Sequence, residues 1–133
     1  MTTAVRTKQE AVLVREATSA DLAAIQAIYA HHVGKGLGTF EEAAPDLAEM
    51  TRRWQDIRDR GLPYLTAEVD GRVLGYAYAG PFRMRSAYRY TVEDSIYVSP
   101  DAQRRGLGRL LLTELIERCT AKGLRQMVAV IGD

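Results

Sequence analysis

A glycine-punctuated turn between an extended segment and an amphipathic helix constrains this chain more than any other feature of its sequence. Segment 91–98 is rich in β-branched and aromatic residues, which predicts a strand that ends at Ser99 and Pro100. The turn Gln-Arg-Arg-Gly-Leu-Gly follows at 103–108, and the apolar residues beyond it recur at helical spacing. The predicted buried stripe of this helix consists of Leu107, Leu110, Leu111, Leu115 and Ile116. The apolar run at 127–131 then suits a strand covered on both faces in a parallel or mixed sheet.

The first half of the chain predicts one short strand, at 12–14, and two helices. Thr18 and Asp21 match a capping box that opens a helix over about 19–33, which the glycines that follow would end. A second helix is predicted to begin at Pro45 and Asp46 and to end at Gly61. Its predicted inner face holds Leu47, Met50, Trp54 and Ile57, and its predicted outer face holds Arg52, Arg53, Asp56 and Arg58.

The middle of the chain predicts a β-hairpin. Asp70 and Gly71 form a two-residue turn signal between extended segments 64–69 and 72–79. The predicted order is therefore β-α-α-β-β-β-α-β, an α/β fold with a mixed, mostly antiparallel central sheet flanked by helices. We expect residues 1–10 to be a flexible tail and residues 11–133 to form a single domain.

Composition excludes several classes of protein. The chain has 133 residues, of which 47% are hydrophobic and 26% charged, as expected of one globular domain. Its net charge of +1 argues against a dedicated binder of nucleic acids or anionic membranes. Cys119 is the single cysteine, so an internal disulfide is excluded and a reducing compartment is expected. Because no apolar run is long enough for a membrane span or a signal peptide, we expect a cytoplasmic protein.

The glycine turn has the properties of an anion-binding loop. Gly106 and Gly108 allow the backbone to approach a ligand closely, and the helix N-terminus behind them carries a partial positive charge. A dinucleotide-binding turn would need a third glycine where Leu111 stands, and a Walker loop would need a Gly-Lys-Ser/Thr sequence that is absent here. Segment 83–109 holds six arginines against three carboxylates. These features predict a diphosphate ligand.

The turn resembles the acetyl-CoA motif of the GNAT N-acetyltransferases, Gln/Arg-x-x-Gly-x-Gly/Ala. The sequences Gly-Tyr-Ala at 75–77 and Tyr-Arg-Tyr-Thr-Val-Glu-Asp-Ser-Ile-Tyr-Val at 88–98 resemble the phosphinothricin and methionine sulfoximine N-acetyltransferase branch. The resemblance implies direct transfer of an acetyl group from acetyl-CoA to a small amine in a ternary complex, without a nucleophilic side chain. It implies a pantetheine contact from Ile96, Tyr97 and Val98. The implied pyrophosphate contacts are Arg104, Arg105, Gly106, Leu107, Gly108 and Arg109.

Glu93 is the candidate catalytic residue. A carboxylate within an apolar strand is costly unless it faces a wet cleft, and there it would accept a proton from the substrate ammonium. The alternative is an outward-facing carboxylate paired with an arginine. Strand alternation puts Glu93 and Ser95 on one face and Asp94 on the other unless a bulge intervenes, whereas the resemblance brings all three to the substrate pocket.

Further substrate contacts are expected from two loops. Arg83 and Arg85 would suit the carboxylate or phosphinate of an amino-acid-like substrate, or would be solvated loop residues. Phe40 would form an apolar wall of the pocket or pack in the core, and Ser86, Ala87 and Tyr88 complete the expected set. His31 and His32 are expected at the end of the first helix, where a protonated imidazole complements the helix dipole. No cysteine or carboxylate cluster at metal-ligand spacing accompanies them, so no metal is expected.

The apolar run at 127–131 has no partner strand in the sequence that follows it. The resemblance implies further elements: a loop bearing an asparagine, another helix and two more strands. We therefore expect a homodimer or a longer polypeptide that covers this edge, and the resemblance also implies a homodimer. A non-catalytic acyl-CoA-binding or assembly module is the alternative function.

Overall fold

The computed structural model describes residues 11–35, 41–81, 91–102 and 106–129. Its strands are β1 (Val12–Glu16), β2 (Tyr64–Val69), β3 (Arg72–Pro81), β4 (Thr91–Val98) and β5 (Gln126–Ala129). Its helices are α1 (Leu22–Lys35), α2 (Leu47–Asp59) and α3 (Leu107–Ala121), with short 3₁₀ turns at Ser19–Asp21 and Pro100–Ala102. The predicted order of elements is confirmed. No helix in the described ranges has the length and apolar character needed to cross a bilayer.

Local signals begin and end the elements. The Asp21 carboxylate accepts the backbone N–H of Thr18 at 2.7 Å, and the chain passes through one 3₁₀ turn before α1. Asp46 caps α2 by accepting the Glu49 N–H at 2.9 Å. Asp70 and Gly71 both have positive φ, 53° and 81°, which matches the twist of the β2–β3 hairpin.

The sheet has the order β1-β2-β3-β4-β5. The first four strands pair antiparallel, and β4 and β5 pair in parallel with Thr91 opposite Gln126. The crossover through α3 makes this last pair parallel, so the mixed and mostly antiparallel sheet is confirmed. The strand predicted from the apolar run is thus present. Within the described residues, its neighbour in the sheet is β4 alone.

Helices cover the sheet on two faces and enclose two cores. On one face, α3 packs over Leu65, Ala77 and Val92, and on the other α1 and α2 pack over Tyr64 and Tyr76. The two cores give a three-layer arrangement with the sheet in the middle.

The predicted inner faces of α3 and α2 are partly wrong. The buried stripe of α3 is Leu107, Leu111, Leu115 and Cys119, spaced four residues apart. Leu110 and Ile116 are 44% and 46% exposed, because a single stripe contacts the sheet. Leu47, the first residue of α2, is 48% exposed, while the rest of its predicted inner face is buried.

Candidate functional site

A cavity of about 350 Å³ lies between the sheet and helix α2. This volume falls in the range of small-molecule sites. Side chains from α1, α2 and three neighbouring strands form its wall. The lining residues are Tyr29, Met50, Arg52, Arg53, Asp56, Ile57, Arg60, Tyr64, Tyr76, Tyr78, Gly80, Pro81, Glu93 and Ser95.

Strand β4 contributes Glu93 and Ser95 to the cavity. In the antiparallel register Glu93 lies opposite Gly80, which has no side chain to fill the space beside the carboxylate. Ser95 lies opposite Tyr78, with which it shares a side-chain hydrogen bond. The described residues form no ion pair with Glu93. The cavity thus holds an acidic group that is available to a cationic or amine ligand.

Asp94 is not among the residues that line this cavity. Its charge raises the pKa of the Cys119 thiol on α3, although burial is the larger cause of that shift. Burial also raises the pKa of the Asp94 carboxyl, and its Oδ1 has no hydrogen-bond partner among the residues that the structure describes. The structure therefore brings Glu93 and Ser95 together and puts Asp94 near α3, as strand alternation predicts.

Four tyrosines line the cavity, and we call the stacked rings of Tyr64, Tyr76 and Tyr78 its floor. The rings of Tyr64 and Tyr78 stack with centroids 4.8 Å apart, and Tyr76 lies beside them at 6.0 Å from Tyr64. Tyr29 reaches the same region from α1 and meets the edge of Tyr97 at 5.0 Å. Burial raises the pKa of Tyr64, Tyr76 and Tyr78, so these hydroxyl groups stay protonated. The floor is therefore aromatic and uncharged.

Arg53 faces the cavity, although the helical pattern put it on the outer face of α2. Its Nη1 and Nη2 donate to Oε1 and Oε2 of Glu41 at 2.7 and 3.0 Å, and its Nε donates to Glu49 at 2.8 Å. The Tyr29 hydroxyl donates to the same Glu41 carboxylate. The Arg53 hydrogen bonds hold the pKa of Glu41 below its usual value. This ionic cluster joins α1, α2 and the segment before α2 at the cavity wall.

Arg52 and Arg60 line the same cavity. The helical pattern predicts Arg52 on the outer face of α2 and gives no role to Arg60. Arg52 donates twice to Glu49, at 2.9 and 2.6 Å. Arg60 donates from Nε to Asp56 at 3.1 Å. The concentration of arginines in segment 52–60 was a sequence signal for a cationic surface beside the site.

The N-terminus of α3 follows the end of β4. Gly106 caps the helix with φ 76°, a conformation in which glycine is favoured, and the first turn contains no acidic residue. Leu110 is the residue whose N–H bonds back to the Gly106 carbonyl, so the N–H groups ahead of it have no acceptor within the helix. A Cβ on Gly108 would lie 3.9 Å from the Val98 side chain. These features suit an anionic group at this end of the helix.

The side chains at the end of β4 pack mainly against the two cores. Ile96 and Val98 pack against the core under α3, and Tyr97 packs against the opposite core. His32 Nε2 lies 2.9 Å from the Val98 carbonyl oxygen, so α1 is tied to the end of the strand. Leu107 is buried beneath the turn, whereas Arg109 is exposed. A ligand here would meet β4 mainly through its backbone.

Several predicted contacts lie outside the described residues. They are Phe40, Arg83, Arg85, Ser86, Ala87, Tyr88, Arg104 and Arg105. No group of three or more potential metal ligands occurs in the part of the chain that the structure describes.

Comparison with known proteins identifies relatives over most of the chain. The sequence model of the Acetyltransferase (GNAT) family matches residues 23–133. The chain is 54% identical over 123 residues to a phosphinothricin N-acetyltransferase of Alcaligenes faecalis, covering 92% of this chain and 62% of that protein. It is 46% identical to the L-methionine sulfoximine/L-methionine sulfone acetyltransferase of Pseudomonas aeruginosa, covering 89% of this chain and 69% of that protein.

The fold also matches solved structures. A GNAT superfamily phosphinothricin acetyltransferase from Sinorhizobium meliloti, crystallised in complex with AcCoA, superposes with a TM-score of 0.89 at 52% sequence identity. The match covers 91% of this chain and 66% of that one. The chain thus spans somewhat less than two thirds of the length of the Alcaligenes relative and of this structure.

Proposed function

Because this chain belongs to the GNAT acetyltransferase family, we propose that it is an N-acetyltransferase that uses acetyl-CoA to acetylate the amine of a small, amino-acid-like substrate. The observation that carries the proposal is the position of Glu93 in the tyrosine-lined cavity. Strand β4, which holds Glu93, comes before the glycine-capped N-terminus of α3 in the chain. The proposed amine site is on this strand, and the proposed anion site is at the start of the helix that follows it.

Acetyl-CoA supplies the acetyl group as a thioester that an amine can attack. The free N–H groups and partial positive charge at the start of α3 suit its pyrophosphate, and Gly108 leaves space for close approach. In this proposal the pyrophosphate contacts are Arg104, Arg105, Gly106, Leu107, Gly108 and Arg109. The backbone of Ile96, Tyr97 and Val98 would hold the pantetheine arm.

Glu93 would act as the general base. Only a neutral amine has the lone pair that attacks a carbonyl carbon, so the substrate ammonium must first lose a proton. The Glu93 carboxylate would accept that proton directly or through one water. The buried tyrosines around it stay protonated, which makes them poor competitors for this role. They would exclude bulk water and contact the apolar part of the substrate.

The substrate class follows from the relatives. The names of two of them specify phosphinothricin and methionine sulfoximine or sulfone, which are amino acids with oxygen-rich side chains. We propose the same class for this protein, with Ser95 in the pocket wall and with Arg83 or Arg85 binding the acidic head. Phe40, Ser86, Ala87 and Tyr88 are the remaining proposed pocket contacts, whereas Asp94 lies on the other face of β4 and is not proposed as one.

We also propose that residues 11–133 belong to one domain of a cytoplasmic homodimer. Among the described strands β5 pairs only with β4, so the other edge of β5 can pair with a strand of a second protomer or be covered by another segment. Cys119, the only cysteine of the chain, is a buried thiol, which is consistent with a reducing compartment. Sedimentation velocity at low protein concentration tests the dimer, and a folded, non-associating monomer of 14.8 kDa would contradict it.

The proposed activity is tested by following free CoA released from acetyl-CoA in the presence of phosphinothricin, methionine sulfoximine and methionine sulfone. The wild-type protein should release CoA with at least one of these amines. Glu93→Gln should lower turnover about 10²- to 10⁴-fold while calorimetry shows near-normal CoA affinity. A protein that binds CoA but releases none with any amine would instead be a non-catalytic acyl-CoA-binding module.

A further inference from the structure

Helix α2 and its C-cap residue present three arginines to the cavity, and the hydrogen bonds of these arginines differ. The Arg53 guanidinium donates from Nε, Nη1 and Nη2 to two carboxylates. Arg52 donates from Nε and Nη2 to both oxygens of Glu49, which occupies one edge of its guanidinium. Only one described bond holds the Arg60 side chain, from Nε to Asp56 at 3.1 Å. Arg60 is thus the cavity arginine with the most unused donors.

The backbone of Arg60 is held by hydrogen bonds, whereas the terminal nitrogens of its side chain have no described partner. Its N–H bonds to the carbonyls of Asp56 and Ile57, both at 3.2 Å, and Gly61 ends the helix with φ 72°. Its Nη1 and Nη2 form no hydrogen bond or salt bridge with any described residue, and the side chain is 37% exposed. A guanidinium with both terminal nitrogens available can bind two oxygen atoms at once.

The charges in the cavity wall suit a substrate with two poles. Glu93 extends from β4, and the α2 arginines extend from the helix that covers the sheet. All three arginines are paired with carboxylates: Arg52 and Arg53 with Glu49, Arg53 also with Glu41, and Arg60 with Asp56. Among these pairs, only that of Arg60 leaves both Nη atoms without a described partner. Methylene groups of a ligand can lie on the tyrosine rings of the cavity between Glu93 and Arg60.

We propose that Arg60 is a specificity-determining residue that binds the side-chain oxygens of the substrate. The acceptor atoms are the two oxygens of a phosphinate or sulfone group, or the oxygen and the imine nitrogen of a sulfoximine, and each such pair can accept protons from Nη1 and Nη2 of Arg60. This inference rests on the proposed function, in which the amine lies at Glu93 and Arg83 or Arg85 binds the α-carboxylate. It assigns the opposite end of the substrate to the C-cap residue of α2.

The experiment measures dissociation constants by calorimetry on the CoA-bound protein, together with CoA release, for three ligands. Phosphinothricin has an anionic side-chain group, methionine sulfone a neutral pair of oxygens, and methionine neither. Wild-type protein should bind both oxygenated ligands more tightly than methionine. Arg60→Gln should weaken phosphinothricin about 10- to 100-fold and methionine sulfone about 3- to 10-fold, and should change methionine less than twofold.

Two further variants separate charge from geometry. Arg60→Lys keeps the positive charge but loses the two parallel donors, so it should recover only part of the phosphinothricin affinity. Arg58→Gln removes the same charge two residues away, on a side chain that lies 4.8 Å over the Trp54 ring and does not line the cavity. It should leave the ratio of the three dissociation constants unchanged.

The outcomes distinguish this inference from the proposed activity. Equal losses for all three ligands in Arg60→Gln would show a contact to the α-carboxylate and overturn the inference. Unchanged affinities, or a wild-type protein that does not prefer methionine sulfone to methionine, would also overturn it. If the predicted binding losses occur but no CoA is released, the inference stands and the enzymatic proposal fails. If active protein releases CoA and Arg60→Gln has no selective effect, only the inference fails.

Discussion

Replacement of Gly75 by alanine tests the contact between the sheet and α3. A Cβ at this position would lie 3.1 Å from Leu111 Cδ1 and 3.3 Å from the carbonyl oxygen of Tyr97. Leu111 has no exposed surface and cannot turn away into solvent, and the Tyr97 oxygen moves only if β4 moves. Of the two glycines of β3, Gly75 is therefore the one where an added methyl group has less room.

Two opposing terms set the magnitude. Overpacking a core by one carbon costs roughly 1–3 kcal/mol. Alanine loses less backbone entropy than glycine on folding, which returns about 0.4–1 kcal/mol. Because one of the close neighbours is backbone, we expect the packing cost to exceed the entropy gain. The predicted net loss in the free energy of unfolding is about 1 kcal/mol.

Urea denaturation of the wild type, Gly75→Ala and Gly80→Ala measures this difference. Gly80 is on the same strand, but a Cβ there would meet only Ile57 Cδ1 at the ordinary contact distance of 3.7 Å. Gly80→Ala should therefore be as stable as the wild type or slightly more stable. If Gly75→Ala is at least as stable as Gly80→Ala, the packing argument is refuted.

Three further predictions concern the site and the first helix. Gly108→Val should reduce CoA affinity while the protein stays folded. The added Cβ would lie 3.9 Å from the Val98 side chain, an ordinary contact distance, but the valine methyl groups would obstruct an approaching phosphate. Equal calorimetric affinities of the variant and the wild type for CoA would contradict this. Arg83→Ala or Arg85→Ala should raise KM for an amino acid more than for an amine without a carboxylate, and equal changes in steady-state kinetics would count against an acid contact. The pKa of Asp21 is held below its usual value, chiefly by hydrogen bonds from Arg15, so its stabilising effect is present above about pH 4 and lost as pH falls through the lowered pKa. Urea midpoints between pH 6 and pH 3 should therefore fall less steeply for Asp21→Asn than for the wild type, and parallel curves would contradict the assignment.

Local sequence signals were sufficient for the boundaries of most elements. The caps at Thr18–Asp21 and at Asp46 act over three residues, and the Asp70-Gly71 turn acts over two. Interactions between residues two or three positions apart in the chain depend little on the rest of the fold, so the sequence predicts them. Strand alternation likewise put Glu93 and Ser95 on one face before the cavity was known.

The choice of buried face on a helix was decided by tertiary packing. Periodicity in α3 was compatible with Leu110 and Ile116 in the core, since leucines occupy adjacent helical faces. The sheet contacts only one stripe, and that stripe includes Cys119 in place of them. A pattern gives the set of possible inner faces, and the position of the sheet selects one of them.

The composition of the cavity wall was also decided by tertiary structure. Arg53 has the polar character of an outer-face residue, yet Glu41, twelve positions away, accepts its hydrogen bonds at the cavity and is itself held by the Tyr29 hydroxyl of another helix. A charged side chain can face inward when hydrogen-bonded carboxylates neutralise it. Sequence alone determined that such a residue is charged and helical. Which partners it meets depends on where the chain brings α1 and the segment before α2 together, and that position is set by long-range packing on the sheet.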